Sequence, residues 1–116
     1  MKILERTVGD VTVLDLAGRL VAADGDDQFR DTLNRIVRLG SRKVLLNLDG
    51  VTYIDSAGLG VMVSKYISIC KRDGQLKLCN LHPRSFEVLH VTKLLTVFEA
   101  YDSEAEAIES FAGSGL

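Results

Sequence analysis

Apolar and polar positions alternate in two rhythms along the chain, and the alternation predicts the elements. Met1 to Val8 and Val11 to Ala17 are strand-like runs joined at Gly9-Asp10, a hairpin turn. In the second run Thr12, Leu14 and Leu16 share one face and Val11, Val13 and Asp15 the other, with Leu14 and Leu16 expected in the core. Gly18 to Gly25 reads as a loop entering a helix capped by Asp24 or Asp26. Phe29, Leu33, Ile36 and Val37 form that helix's apolar stripe, and Gly40 ends it.

Lys43 to Gly50 carries a continuous apolar run, the mark of a strand covered on both faces. From Leu59 the pattern switches. Leu59, Met62, Val63, Tyr66, Ile67 and Cys70 recur at three- and four-residue steps, which predicts a helix with one buried stripe ending near Gly74. Gln75 to Cys79 alternates as a short strand. Pro83 suits the first turn of a third helix carrying Phe86, Leu89 and His90 or Val91. Thr96 to Tyr101 reads as a last strand, with Leu94-Leu95 packing before it. Asp102-Ser103-Glu104 caps a final helix holding Ala105, Ile108 and Phe111. The order is ββαβαβαβα, an α/β domain with a mixed sheet. Residues 1–111 form the single domain and 112–116 a flexible tail.

Composition narrows the function. A chain of 116 residues has room for one core. Its 47% hydrophobic and 26% charged residues are ordinary for a soluble globular protein. No apolar run is long enough to span a bilayer, and Met1 to Arg6 lacks the apolar core of a signal peptide, so a cytoplasmic location without membrane contact is expected. A formal net charge of −2 gives no general attraction to nucleic acid, and the local patch of Arg35, Arg38, Arg42 and Lys43 reads as a solvated helix face. Cys70, placed on the buried stripe, and Cys79 read as two reduced thiols.

The candidate chemistry gathers at Asp55-Ser56-Ala57-Gly58-Leu59-Gly60, where strand passes into helix. In sheets of this kind sites gather where loops leave the carboxyl ends of strands, so Gly18 to Asp24 and Asp49 to Gly58 are expected side by side. Asp55 and Ser56 are both good N-cap types; as the cap, Asp55 would accept from the N–H groups of Ala57 and Gly58. Simple capping is one reading. The other rests on Gly58 and Gly60, because glycine in a first helical turn costs about 1 kcal/mol against alanine and implies a close approach to the backbone. Helix packing explains one such glycine as well. A hydrolase nucleophile elbow needs glycine where Ile54 stands. A dinucleotide cradle needs glycine or alanine where Val63 stands, and there is no G-K-[ST]. His82 and His90 are not spaced to share a metal on one turn and read as structural residues. No catalytic residue, cofactor or metal is therefore expected.

Tyr53 to Gly60 resembles the D-S-[SA]-G-L-G signature of the STAS domain (sulfate transporter and anti-sigma factor antagonist). The Val44–Asp49 strand, Gly18 and the segment Leu78 to Leu81 are similar to that family as well, so the resemblance spans about residues 1–111. A free-standing chain of this length looks most like the bacterial anti-sigma factor antagonists. That resemblance implies a STAS-like fold and a binding protein, not an enzyme. A serine-kinase anti-sigma factor would be the partner, phosphorylating Ser56 with its own ATP and Mg²⁺, and a phosphatase would reset the protein. Unmodified, the chain would bind the kinase and release a sigma factor. Asp55 would help present Ser56. Ala57, Gly58, Leu59, Gly60 and Val61 would contribute to the contact surface, together with Leu20, Val21 and Asp24 of the neighbouring loop. The family often reads G-E-[IL]-D where this chain has Gly18-Arg19-Leu20-Val21, with Asp24 three residues beyond. The alternative is a STAS scaffold for another signalling partner, without phosphorylation.

Overall fold

The computed structural model describes residues 1–22 and 26–113. Its strands are β1 (Lys2–Val8), β2 (Val11–Leu20), β3 (Lys43–Ile54), β4 (Gln75–Cys79) and β5 (Ala100–Tyr101). The helices are α1 (Asp26–Arg38), α2 (Ser56–Cys70), α3 (Pro83–Val91) and α4 (Glu104–Gly113), with a 3₁₀ turn at Leu94–Thr96. The sheet runs β1-β2-β3-β4-β5. β1 pairs antiparallel with β2, and every later pair is parallel. A two-residue turn suffices for the first pair, whereas each parallel pair needs a crossover, and α1, α2 and α3 lie within those crossovers. The expected order of elements and mixed sheet are both present.

The apolar rhythm follows from cover on both faces. Phe29, Leu33 and Ile36 of α1, Met62 and Ile69 of α2 and Leu89 of α3 close one face over Leu14, Leu16, Val44, Leu46, Leu48 and Leu78. α4 alone covers part of the other, where Ala107 and Phe111 pack on Val11, Val13, Leu45 and Cys79. β2 and β3 are thus buried on both sides at their centres, so Val11 and Val13 belong to a second, smaller core. Arg6 of β1 ties this face together by pairing with Asp15 of β2 and with Glu104 at the start of α4.

Five expectations need correction. β2 does not stop at Ala17: Gly18-Arg19-Leu20 continue it through two register shifts, because β3 runs on to Ile54 and pairs with Leu20. The last strand shrinks to Ala100–Tyr101, since Thr96 closes the 3₁₀ turn while half-buried Leu94 and Leu95 pack on the core. On α3 the inward positions are Ser85 and Leu89; Phe86 and Val91 are exposed, the former stacked on His90. On α4 Ala105 faces out and Ala107 faces in. That helix starts as expected, with the Ser103 hydroxyl accepting from the Glu106 N–H at 3.2 Å. It runs through Gly113, so Ala112 and Gly113 are helical rather than tail; residues 114–116 lie outside the described residues.

Candidate functional site

Ser56 is the first residue of α2, and its side chain is exposed. The cap is its neighbour. Asp55 is extended (φ −99°, ψ −175°), and one carboxylate oxygen accepts from the Gly58 N–H at 3.0 Å. The other oxygen accepts from the Ala22 N–H, also at 3.0 Å, and the Asp55 N–H donates to the Leu20 carbonyl at 3.2 Å. One residue therefore pins the start of α2 to the segment leaving β2, and the two stretches adjoin, though as paired strands as far as Leu20 and Ile54 rather than as loops; residues 23–25 lie outside the described residues. Hydrogen bonds from the Gly58 and Ala22 N–H groups hold the Asp55 carboxyl below the usual carboxylate range, with a smaller share from Ala57. Asp55 is thus an anion at neutral pH, and both its oxygens are committed to backbone donors.

The consequence for Ser56 is chemical. Among the described residues no hydrogen bond engages its hydroxyl, so no base activates it as a nucleophile. It stands at the positive end of a fifteen-residue helix, where added negative charge is favourable.

The two glycines differ. A Cβ on Gly58 would lie 2.3 Å from the Leu20 carbonyl oxygen, so Gly58 answers to helix packing. A Cβ on Gly60 would meet nothing within 4 Å, and this residue is exposed. The resemblance-based set sorts accordingly. Asp55, Ala57, Leu59 and Val21 are half-buried and, with Gly60, reach the surface around Ser56. Leu20, Gly58 and Val61 do not, because they are the buried seam between β2 and α2: Leu20 is 0% and Val61 4% exposed. Asp24 lies outside the described residues.

Cys70 is exposed and does not belong to the buried stripe. The buried line of α2 passes through Gly58, Val61, Met62 and Ile69, offset by about one residue because Gly58 is the point of closest approach to β2. Leu59, Val63 and Ile67 therefore form a second apolar line on the outer flank, with Gly60 beside it, and Ile67 is 47% exposed. The sequence pattern places Val63 and Ile67 on the buried stripe, whereas Val63 is half-buried and Ile67 exposed. The usable signal was an α2 apolar almost all round, richer than one buried stripe requires. Tyr53, 48% exposed just before the site, was also missed as a surface feature.

Among the described residues no group of three or more His, Cys, Asp or Glu side chains could hold a metal ion, and no helix is long and apolar enough to cross a membrane. His82 caps α3, its Nδ1 accepting from the Arg84 N–H at 3.2 Å.

Comparison with known proteins supplies the remaining finding. The sequence model of the STAS domain matches residues 2–107. BtrV of Bordetella bronchiseptica, whose name describes an anti-sigma factor antagonist, is 30% identical over 111 residues, covering 96% of this chain and 95% of BtrV. The crystal structure of tm1081 from Thermotoga maritima, described in the same words, superposes with a TM-score of 0.83 at 27% identity, covering 93% of this chain and 92% of that one. SpoIIAA, a Bacillus cell fate determinant solved in its phosphorylated form, shares the fold with a TM-score of 0.75 at 20% identity, covering 95% of this chain and 99% of its own.

Proposed function

The chain belongs to the STAS domain family, and from that premise we propose that it is an anti-sigma factor antagonist switched by phosphorylation of Ser56. The observation that carries the reading is the division of roles at the entrance to α2. Asp55 makes the cap bonds, and Ser56 is left exposed on the helix's positive end. The antagonist names of BtrV and tm1081 and the phosphorylated form of SpoIIAA support it.

Unmodified, the chain binds a serine-kinase anti-sigma factor through Ser56, Ala57, Leu59 and Gly60, with Val21 from the neighbouring connection, and a sigma factor is freed. The kinase supplies ATP and Mg²⁺, and the phosphoryl group passes to the Ser56 oxygen. A phosphatase later removes it. The phosphate brings about −1.5 to −2 charges. At a helix N-terminus that charge is favourable by about 0.3–1 kcal/mol, so the fold survives modification. Release must come from the contact itself, where a charge left without a partner costs roughly 2–5 kcal/mol, about thirty- to several-thousand-fold in affinity. The nearby Asp55 carboxylate adds repulsion of the same sign.

The test is co-purification of wild type, Ser56→Ala and Ser56→Asp with the serine-kinase anti-sigma factor of the native host. Ser56→Ala should keep the kinase and accept no phosphate, while Ser56→Asp should lose the kinase. Equal recovery with both variants rejects the switch.

A further inference from the structure

The C-terminal halves of α1 and α2 enclose a shallow groove of about 430 Å³, whose lining includes Asn34, Arg38, Lys65, Ser68, Lys71 and Arg72. Four cations converge there. Arg38, Lys71 and Arg72 are exposed, and Lys65 donates to the side-chain Oδ1 of Asn34. None of the four forms an ion pair among the described residues. The basic patch seen in the sequence is therefore split. Arg35 is neutralised by Glu5 and Lys43 by Asp10, whereas Arg38 joins cations from α2 across the groove.

Attraction to helix C-termini accounts for cations at Arg38 and Lys71. It does not account for Lys65, which lies inside α2, before its last turn, and points to the same groove. A second observation gives the groove a direction. At Ser68 and Lys71 it opens onto the outer apolar line of α2, where Ile67 is exposed and Leu59 and Val63 are half-buried. One continuous surface thus runs from an apolar flank to a cationic end.

We propose that this surface seats an acidic segment of a protein partner, its carboxylates over Arg38, Lys71 and Arg72 and its apolar side chains along Val63 and Ile67. The groove offers no aromatic ring for base stacking, and a chain of net charge −2 does not draw a polyanion from a distance, so a carboxylate-bearing polypeptide fits better than nucleic acid. Ser56 and Lys71 are separated by the length of α2, about 22 Å at ~1.5 Å per residue. That distance exceeds the screening length of about 8 Å at physiological salt, so the cationic end holds its ligand whether or not position 56 carries charge. The inference does not depend on the reading of Ser56.

The test uses the full chain and two synthetic amphipathic helical peptides, one patterned with Leu and Glu and the other with Leu and Lys. Binding is followed by fluorescence anisotropy and by amide chemical shifts. The Leu/Glu peptide should bind saturably and shift the amides of Arg38, Ser68 and Lys71, while the Leu/Lys peptide should not. The double variant Arg38→Glu/Lys71→Glu should weaken the Leu/Glu peptide at least about tenfold, as should raised salt. Ser56→Asp should leave its affinity at these positions unchanged. Thermal melting confirms that the double variant is folded, both positions being exposed. The proposal is overturned if the double variant binds the Leu/Glu peptide as tightly as wild type. It is also overturned if duplex DNA or anionic phosphatidylglycerol vesicles bind the groove more tightly than that peptide. Self-association of the chain that the double variant abolishes would assign the groove to a second copy instead.

Discussion

Gly58 packs against Leu20 so closely that a single added methyl would sit 2.3 Å from the Leu20 carbonyl oxygen and 2.8 Å from its Cγ. Backbone cannot yield as a flexible side chain does. Gly58→Ala should therefore destabilise the fold by about 1–3 kcal/mol, despite the roughly 1 kcal/mol that alanine returns to the helix. Urea unfolding of the variant measures this. Gly60→Ala is the control, since nothing stands within 4 Å of its Cβ position. It should raise stability by up to about 1 kcal/mol and, if the partner docks here, weaken binding by filling the exposed approach beside Ser56.

Asp55 gives a pH signature. Its folded carboxyl is held below its ordinary value by the Gly58 and Ala22 N–H groups, so its contribution to stability is fully present above the ordinary carboxylate range. It is lost as pH falls through the lower folded value. Asp55→Ala should be less stable than wild type at neutral pH, and the gap should narrow on acidification. Unfolding curves for both proteins across that range check the sign; a gap that widens in acid would contradict it.

Lys77 is 4% exposed, and its ammonium lies 4.7 Å from the Phe111 ring centre and 5.8 Å from that of Tyr101. It donates to the Ser110 hydroxyl at 2.9 Å and pairs with Glu99 at 3.0 Å. Glu99 is well exposed and rehydrates when the lysine is removed, so the loss falls on α4, which carries Ser110 and Phe111. Lys77→Ala should cost about 1–3 kcal/mol, and Lys77→Met, which keeps the stem, should recover part of it. Hydrogen exchange should quicken first in α4.

The two cysteines should be distinguishable by reagent alone. Cys70 is exposed, whereas burial pushes the Cys79 thiol up to about 12, with the Glu104 and Asp15 charges adding to it. At mildly alkaline pH a thiol reagent should modify Cys70 in the native protein and reach Cys79 only on unfolding.

Much of this arrangement was legible in the residues. The continuous apolar run of β3 announced cover on both faces, and Asp55-Ser56 announced the start of α2. What escaped reading was set by contacts between distant segments. Gly18-Arg19 looks like punctuation locally, yet pairing with an extended β3 keeps the chain in strand to Leu20. The inward line of α2 depends on where Gly58 meets β2, and several lines on so apolar a helix fit the period. Phe98, in a stretch that reads as a strand, is buried instead from an irregular segment, edge-on to Tyr66 with ring centres 5.2 Å apart. At the site, the second bond of Asp55, to Ala22, joins positions thirty-three apart in the chain, beyond any spacing rule.

That bond across the corner has a consequence for turnover. With Asp55 keeping the first turn in place and anchoring the neighbouring connection, the side chain at 56 carries no mechanical load. Under the proposed switch it would gain and shed a bulky anion through many cycles while every strand and helix stays where it was. The molecule's memory of its last visitor is then confined to a few atoms on its outside.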